Sequence, residues 1–477
     1  MQIQKGDSIM AYRYGYREQM ELFPQSIEDY VDTNDPVRAY DAFVEALNFN
    51  ELGITLDEKQ IGNPEYYPKA MLKLLTFGYS YGIRSSRKLE RATYHNLAFI
   101  WLIGGLKPDH KTIAEFRRRN KTALKNVLKQ CARLCIKLDL IAGNTLFIDG
   151  TKIRANASIK NTWTKERSEE ALSKIDERIN EILSECEAAD ENEQDEPSLV
   201  SMQEELHDKN ALKAKIEDIL KELKETNKSS INTTDSDCAR MNSIQGSHAG
   251  YNTQAVVDEK HGLIVHADVV NENNDRQQFS AQISQANETL GQKCSVACAD
   301  QGYSTTDELE KVDKQNIKVV VPPCEKSDIK KSFTYDPEND YYLCPEGHIL
   351  ENSGLTSDKK SHIYRIRNKS FCLDCARFNT CTKSKHGKTV TRLLNEETRQ
   401  RFEDQYNELE SREIYKLRQQ KVELPFGHIK RNLGVNAFLL RGLDGAKAEI
   451  SLLASCFNIS RMITIFGIQG LIKAITA

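Results

Sequence analysis

The sequence predicts a mixed α/β protein: an all-helical N-terminal part, then a sheet-bearing part interrupted by one helical insertion and one small cysteine-rich insertion. Three observations carry that expectation. Up to about residue 140, apolar residues recur at three and four positions, the period of helices facing a core. Beyond Gly143, short runs rich in Val, Ile, Phe and Ala deliver an Asp followed closely by Gly, as strands ending in turns do. Between those runs lie two long helical stretches, and further on a group of spaced cysteines.

A chain of 477 residues exceeds one ordinary core, so two to four domains or large insertions are expected. Hydrophobic content of 39% and charged content of 29% exclude a disordered chain. No uninterrupted apolar run reaches the roughly 18–20 residues of a membrane helix. Met1 to Arg17 lacks the apolar centre of a signal peptide, so the expectation is a cytoplasmic protein without membrane contact. The net charge of −4 hides local concentrations: Glu187 to Glu196 is acidic, whereas Arg117-Arg118-Arg119-Asn120-Lys121 and Lys430-Arg431 are basic. Phosphate binding needs a basic surface, not a basic protein.

Residues 1 to about 35 read as an entry arm. Pro36 to Leu47 is the first helix, with Asp35 as its cap and Pro36 in its first turn. Pro68 opens a second, Ser85-Ser86 a third, and Asp109 or Lys111-Thr112 a fourth. Short helices with basic ends suit a module that lays one helix in a DNA groove, so residues 1–140 are expected to bind DNA ends. Arg117, Arg118 and Arg119 are the candidate phosphate contacts; a plain solvated helix face is the competing reading.

Residues 141–477 are expected to form the second domain. Its first strand ends at Asp149, and a helical hairpin within 160–235 follows, split by the acidic break from Ala188 to Pro197. Tyr251–Val257 and Leu263–Val270 read as a β-hairpin around the turn at Asp258–Gly262. A helix over Asp275–Leu290 leads to the strand ending at Asp300, then a helix near Thr305–Gln315 and a strand Lys318–Val321. This order resembles the ribonuclease H-like fold, which would set the ends of the Asp149 and Asp300 strands side by side. Ala446 to Ile475 reads as buried helix covering the sheet.

Two constellations carry chemistry. Acids at strand ends are common turn formers. Asp149 and Asp300 in matched contexts, with Glu423 on a later helix, also suit a cage of hard oxygen ligands for divalent metal. Pro425, two residues beyond Glu423, predicts a kink or a helix start there. Cys344, Cys372, Cys375 and Cys381, with one pair at CxxC spacing, suit a tetrahedral structural Zn²⁺ within an insert over 335–390; His348 could replace one of them.

The three acids resemble the triad of the DDE transposases of bacterial insertion sequences. Around its third acid that family shows Tyr, two residues, Arg, three residues, Glu, six residues, Lys. Tyr415, Arg418, Glu423 and Lys430 fit, except that four residues separate Arg418 from Glu423. The likeness extends over Asn34–Arg38, Pro108–Thr112, Gly246–Asp268 and the cysteine-bearing insert. It implies a transposase that cuts its element's ends and joins the 3′-hydroxyls to target DNA, with two Mg²⁺ or Mn²⁺ ions on Asp149, Asp300 and Glu423, Asp149 bridging both. It further implies double-stranded DNA as partner, phosphate contacts from Lys152, Tyr415, Arg418, Lys430 and Arg431, and a homodimer or larger synaptic complex. A nuclease without strand transfer, or a non-catalytic DNA binder descended from a transposase, are the alternatives.

Overall fold

The computed structural model describes residues 26–56, 65–191, 196–226, 230–243, 246–324 and 332–477. Most of the N-terminal arm, the side chains of the acidic break and Cys186 lie outside the described residues.

After a 3-10 turn at Ile27–Tyr30, eight α-helices make up the N-terminal part among the described residues: α1 (Val37–Glu45), α2 (Phe49–Leu52), α3 (Pro68–Ser80), α4 (Ser86–His95), α5 (Leu97–Leu102), α6 (His110–Arg119), α7 (Lys121–Lys125) and α8 (Val127–Lys137). Their starts follow local chemistry. Asp35 Oδ1 accepts from the Val37 amide at 2.9 Å ahead of α1, and Asp109 Oδ1 accepts from the Thr112 amide at 2.6 Å ahead of α6. Pro68 opens α3, where its missing N–H costs nothing.

The main sheet is built on β1 (Thr145–Arg154). The apolar run Leu146–Ile148 is fully buried, which is why those residues are there. On one side β1 pairs antiparallel with β5 (Gly246–Asp258), whose outer edge takes β4 (Ala239–Ser243) and then β6 (Ile264–Val270) along its length. On the other side β7 (Val296–Cys298) and β8 (Lys318–Val320) run parallel to β1. Helices α11 (Phe279–Leu290) and α12 (Thr306–Asp313) make the crossovers.

The insertion after β1 is a helical hairpin, α9 (Lys165–Glu191) and α10 (Glu196–Thr226). Arg178 pairs with Glu205 at 3.1 Å and Lys213 with Asp176 at 2.6 Å, so the helices run antiparallel. A two-stranded clasp, β2 (Thr162–Trp163) with β3 (Ile231–Asn232), closes its base. The cysteine-bearing stretch is more ordered than its spacing suggested. It forms a second, antiparallel sheet of β9 (Thr334–Asp336), β10 (Tyr341–Leu343), β11 (Ile349–Leu355), β12 (Ser361–Ile366) and β13 (Thr389–Leu393), with the short α13 (Ser370–Leu373) between the last two. Phe333, Tyr342, Leu350, Tyr364, Ile366 and Val390 give it a core of its own.

Helices α14 (Glu396–Asn407) and α15 (Leu409–Gly427) return the chain to the main sheet, and α16 (Leu443–Phe466) and α17 (Ile468–Thr476) end it. One hydrophobic cluster runs from Val31 through the sheet to Leu471, so the N-terminal helices and the sheet share a core. Its centre is α16, which packs against α3, α7, α8 and β6. By length and composition α16 could cross a membrane; here it is buried inside the protein. Its fully buried Glu449 is held by Arg84 at 2.6 Å and by the amides of Leu439 and Leu440 at 2.8 and 3.1 Å.

Candidate active site

Asp149 leaves the apolar part of β1 where β7 ceases to accompany it, and Asp300 follows β7 directly. The first strand, expected to end at Asp149, runs on to Arg154 because β5 pairs with it throughout; the parallel pairing with β7 sets Asp149, midway along β1, beside Asp300 just past the end of its neighbour. Between them lies Arg418 of α15, its Nη2 2.9 Å from Asp149 Oδ1 and 3.8 Å from Asp300 Oδ2. The Asp149 side chain is only 22% exposed. Burial pushes its carboxyl up to about 6; Arg418 and the Gly150 amide pull the other way, while Asp300 and Asp275 push it further up. Asp300 caps the turn that follows it, its Oδ1 accepting from the Gly302 amide at 2.9 Å.

A third acid reaches the same place, and the sequence reading had not singled it out. Asp275 Oδ1, in the loop after β6, accepts from Asn252 Nδ2 at 2.8 Å and Gln254 Nε2 at 2.7 Å, both on β5. Gln254 Oε1 in turn accepts from the Tyr303 hydroxyl. Gly150 is required where these groups meet. A Cβ there would lie 2.6 Å from Gln254 Nε2, 2.7 Å from Asp275 Oδ1 and 3.0 Å from the Tyr303 hydroxyl. The Asp-Gly pair thus joins an acid to the space for its neighbour. Asp275 itself closes the polar run Asn271-Glu272-Asn273-Asn274, which reads as an ordinary loop.

Glu423 lies on α15, five residues beyond Arg418, exposed and accepting from Gln419 Nε2 at 3.1 Å. Pro425 neither starts the helix nor stops it: α15 continues to Gly427 and passes into a π-helical turn, His428–Asn432. A proline removes a ladder hydrogen bond, and wider turns absorb such defects. The turn carries Lys430, whose Nζ donates to the Thr151 hydroxyl on β1 and which feels the charge of Asp149. Tyr415 is half-buried, edge-on to Tyr406 at 5.4 Å. Lys152 Nζ donates to the Asn242 carbonyl at 3.1 Å, and Arg431 is exposed.

The triple arginine needs a correction. Arg117 is not on the surface: it is 4% exposed, and its guanidinium donates to the Tyr79 hydroxyl at 3.1 Å, the Arg84 carbonyl at 2.8 Å and the Ser86 hydroxyl. It lies one turn after buried Ile113, and that i, i+4 spacing is the signal that could have found it. Arg118 and Arg119 are exposed, but both are engaged with Glu115 at 2.5 and 2.6 Å.

Cys344, Cys372, Cys375 and Cys381 come together around a cavity of 30 Å³. Backbone amides point at three of the sulfurs: His348 N at Cys344 Sγ (3.3 Å), Lys388 N at Cys372 Sγ (3.4 Å) and Arg377 N at Cys375 Sγ (3.4 Å). The His348 ring stacks on Phe371, 4.4 Å between centroids. Among the described residues, no three His, Cys, Asp or Glu side chains already stand in metal-holding arrangement, at the acids or at the cysteines.

Two family models match the chain. A transposase DDE domain matches residues 343–463, from the cysteine-bearing sheet through Glu423 and Lys430 into α16. A transposase domain (DUF772) matches residues 25–119, the N-terminal helices. Asp149 and Asp300 lie outside both matches. No curated protein and no solved structure matches the chain. Members of this family cut and transfer DNA and generally use divalent metals. Two transposase models matched on separate stretches, together less than half of the chain, support an insertion-sequence DDE transposase.

Proposed function

We propose that this transposase cuts at the ends of its insertion sequence and joins the freed 3′-hydroxyls to target DNA. The observation that carries the reading is the meeting of Asp149 and Asp300 across the Arg418 guanidinium. The sheet supports it too: three antiparallel strands (β1, β5, β6) followed by two parallel ones on the far side of β1 is the order of a ribonuclease H-like fold. In this reading residues 1–140 recognise the element's ends. Residues 141–477 are catalytic, with insertions at 160–235 and 335–390. The enzyme works in the cytoplasm, on DNA, as a homodimer or larger synaptic complex.

The acids fit divalent metal by chemistry. Carboxylate oxygens are the ligands Mg²⁺ and Mn²⁺ prefer; Asp149 and Asp300 share a single guanidinium, and the charge of Asp275 reaches Asp149 as well. When bound, two such ions supply positive charge at the attacking and leaving oxygens of a phosphoryl displacement. Asp149 and Asp300 would hold them, and Glu423 would complete the set from α15. Arg418 then turns from Asp149 to a phosphate oxygen, and Lys430 holds another. Tyr415 orients the strand. The four cysteines fit structural Zn²⁺ in kind, and amides aimed at sulfur favour the thiolates such an ion needs.

The test is incubation of the protein with DNA carrying its element's ends, with and without Mg²⁺, beside Asp300→Ala. Metal-dependent cleavage and joining, lost in the variant, are expected. Cleavage without joined product would make it a nuclease. Equal cleavage by the variant would remove Asp300 from the site.

A further inference from the structure

Asp275 stands four residues ahead of α11, where an acid commonly caps a helix, yet its carboxylate does not serve that end. Gln278 occupies the cap position without a side-chain hydrogen bond, and Asp275 turns to the sheet instead. Its Oδ1 accepts from the buried Asn252 and Gln254 amides of β5. The Tyr303 hydroxyl donates to Gln254 Oε1, which sets Nε2 toward Asp275. Tyr303 closes the turn that Asp300 caps, so one hydrogen-bonded chain fixes Asp300 and Asp275 together.

Amides hold a carboxylate without neutralising it. Among the described residues no Lys, Arg or His lies within ion-pair distance of Asp275, and no donor reaches its Oδ2. Arg418 is within that distance of Asp149 and Asp300 only. Carboxylates crowded into one place disfavour each other's charge until a cation joins them. The backbone makes the crowding possible. A Cβ on Gly302 would stand 3.0 Å from Asp300 Oδ1 and 3.7 Å from Asp275 Oδ2, so these two oxygens face one small gap. A Cβ on Gly150, next to Asp149, would lie 2.7 Å from Asp275 Oδ1. Two glycines thus let the loop acid approach both of the others. Asp275 also lines a cleft of 680 Å³, with Gly150, Lys152 and Lys430, wide enough for a cation to arrive with its water.

We propose that Asp275 is a metal-binding residue of the active site, its free Oδ2 joining Asp149 and Asp300 around the divalent ion that takes the place of the Arg418 guanidinium. The proposal rests on the transposase reading and adds to it a fourth carboxylate, carried on a loop that amides of the sheet hold in place. Asn252, Gln254 and Tyr303 are then positioning residues: they aim Asp275 and do not bind the ion themselves.

The probe is Mn²⁺, titrated into the full-length protein with and without DNA carrying the element's ends, the free ion being counted by electron paramagnetic resonance. Asp275→Asn keeps an acceptor oxygen for the two amides and removes the charge. It should weaken Mn²⁺ binding about tenfold or more, the lower end of what losing even a supporting group costs a metal site. Its thermal midpoint in EDTA should be no lower than that of the wild type. Asp300→Ala, run beside it, should lose Mn²⁺ as well. Unchanged affinity in Asp275→Asn beside a loss in Asp300→Ala would overturn the role of Asp275 and leave the transposase reading standing. A wild type that takes up no Mn²⁺ in either condition would overturn both. If Asp275→Asn fails to fold, iron-directed cleavage of the wild-type chain carries the test. Fe²⁺ with ascorbate and peroxide should cut the backbone at Asp275 as well as at Asp149 and Asp300, and cuts at those two alone would overturn the proposal.

Discussion

Replacing Asp149 with Asn should stabilise the metal-free protein at alkaline pH, and the site sets the size of the effect. The folded carboxyl titrates near 6 instead of 3.8, chiefly because burial disfavours its charge. Between those values the folded protein keeps a proton that the unfolded chain releases, so stability falls as pH rises through the window and levels off above it. The shift is about 2 pH units, and at about 1.4 kcal/mol each the charged Asp149 costs about 3 kcal/mol at pH 8. Asn keeps the acceptor oxygen that Arg418 and the Gly150 amide use, and removes the charge. Urea unfolding in EDTA, read by tryptophan fluorescence, should place the variant's midpoint above that of the wild type at pH 8 and bring the two together near pH 4. Added Mg²⁺ should then raise the wild type and leave the variant where it is, since ligand stabilises only the form that binds it. A variant equal to or weaker than the wild type at pH 8 would refute the claim that these acids are held at a cost for a cation to offset.

Four further outcomes follow from the packing. Glu449→Ala leaves Arg84 and two amides facing a buried void and should destabilise by about 3–5 kcal/mol, measured by urea unfolding. Arg117→Ala should cost about 1–3 kcal/mol in the same assay with no selective loss of DNA affinity, whereas Arg118→Ala should leave the unfolding midpoint unmoved. Gly150→Ala should abolish cleavage while the fold persists by circular dichroism, because the new methyl lies against Gln254 and Asp275. Metal analysis should find one zinc per chain, and Cys375→Ser should release it and lower the protease resistance of the cysteine-bearing sheet.

What was legible in the sequence was whatever depends on short-range period and turn chemistry. Leu146–Ile148 could only be a buried strand, and the Asp-Gly after it marked the point where an acid is exposed to a site. Asp35 and Asp109 announced their helices through the amides they cap. Asp275 escaped because its importance comes from Asn252 and Gln254, whose amides reach it from another strand; nothing local distinguishes it from the Asn residues before it. Arg117 was read by composition, as one of three arginines, when its spacing from Ile113 put it on the inner face. The five-stranded sheet around the cysteines was overlooked for the opposite reason. Its strands contribute only one or two core residues each, Tyr342, Leu350, Tyr364 with Ile366, and Val390, too few on any strand for a period to show. Pro425 predicted an interruption, and the helix instead accommodated it by widening into the turn that carries Lys430.

The place of α16 has a consequence for how the molecule comes into being. A ribosome delivers α3, α7, α8 and β6 long before Leu443–Phe466, yet all four pack against that helix. Until it arrives, each half carries an apolar face with nothing to cover it, and a chain stopped before Leu443 would be prone to stick to its own kind. The last turns close the structure as a keystone closes an arch, with α17 then settling against α1. The helices that match one family model and the sheet beside them are therefore not interchangeable modules. Grafting the N-terminal helices of a relative onto this sheet would require the facing side of α16 to be carried over with them.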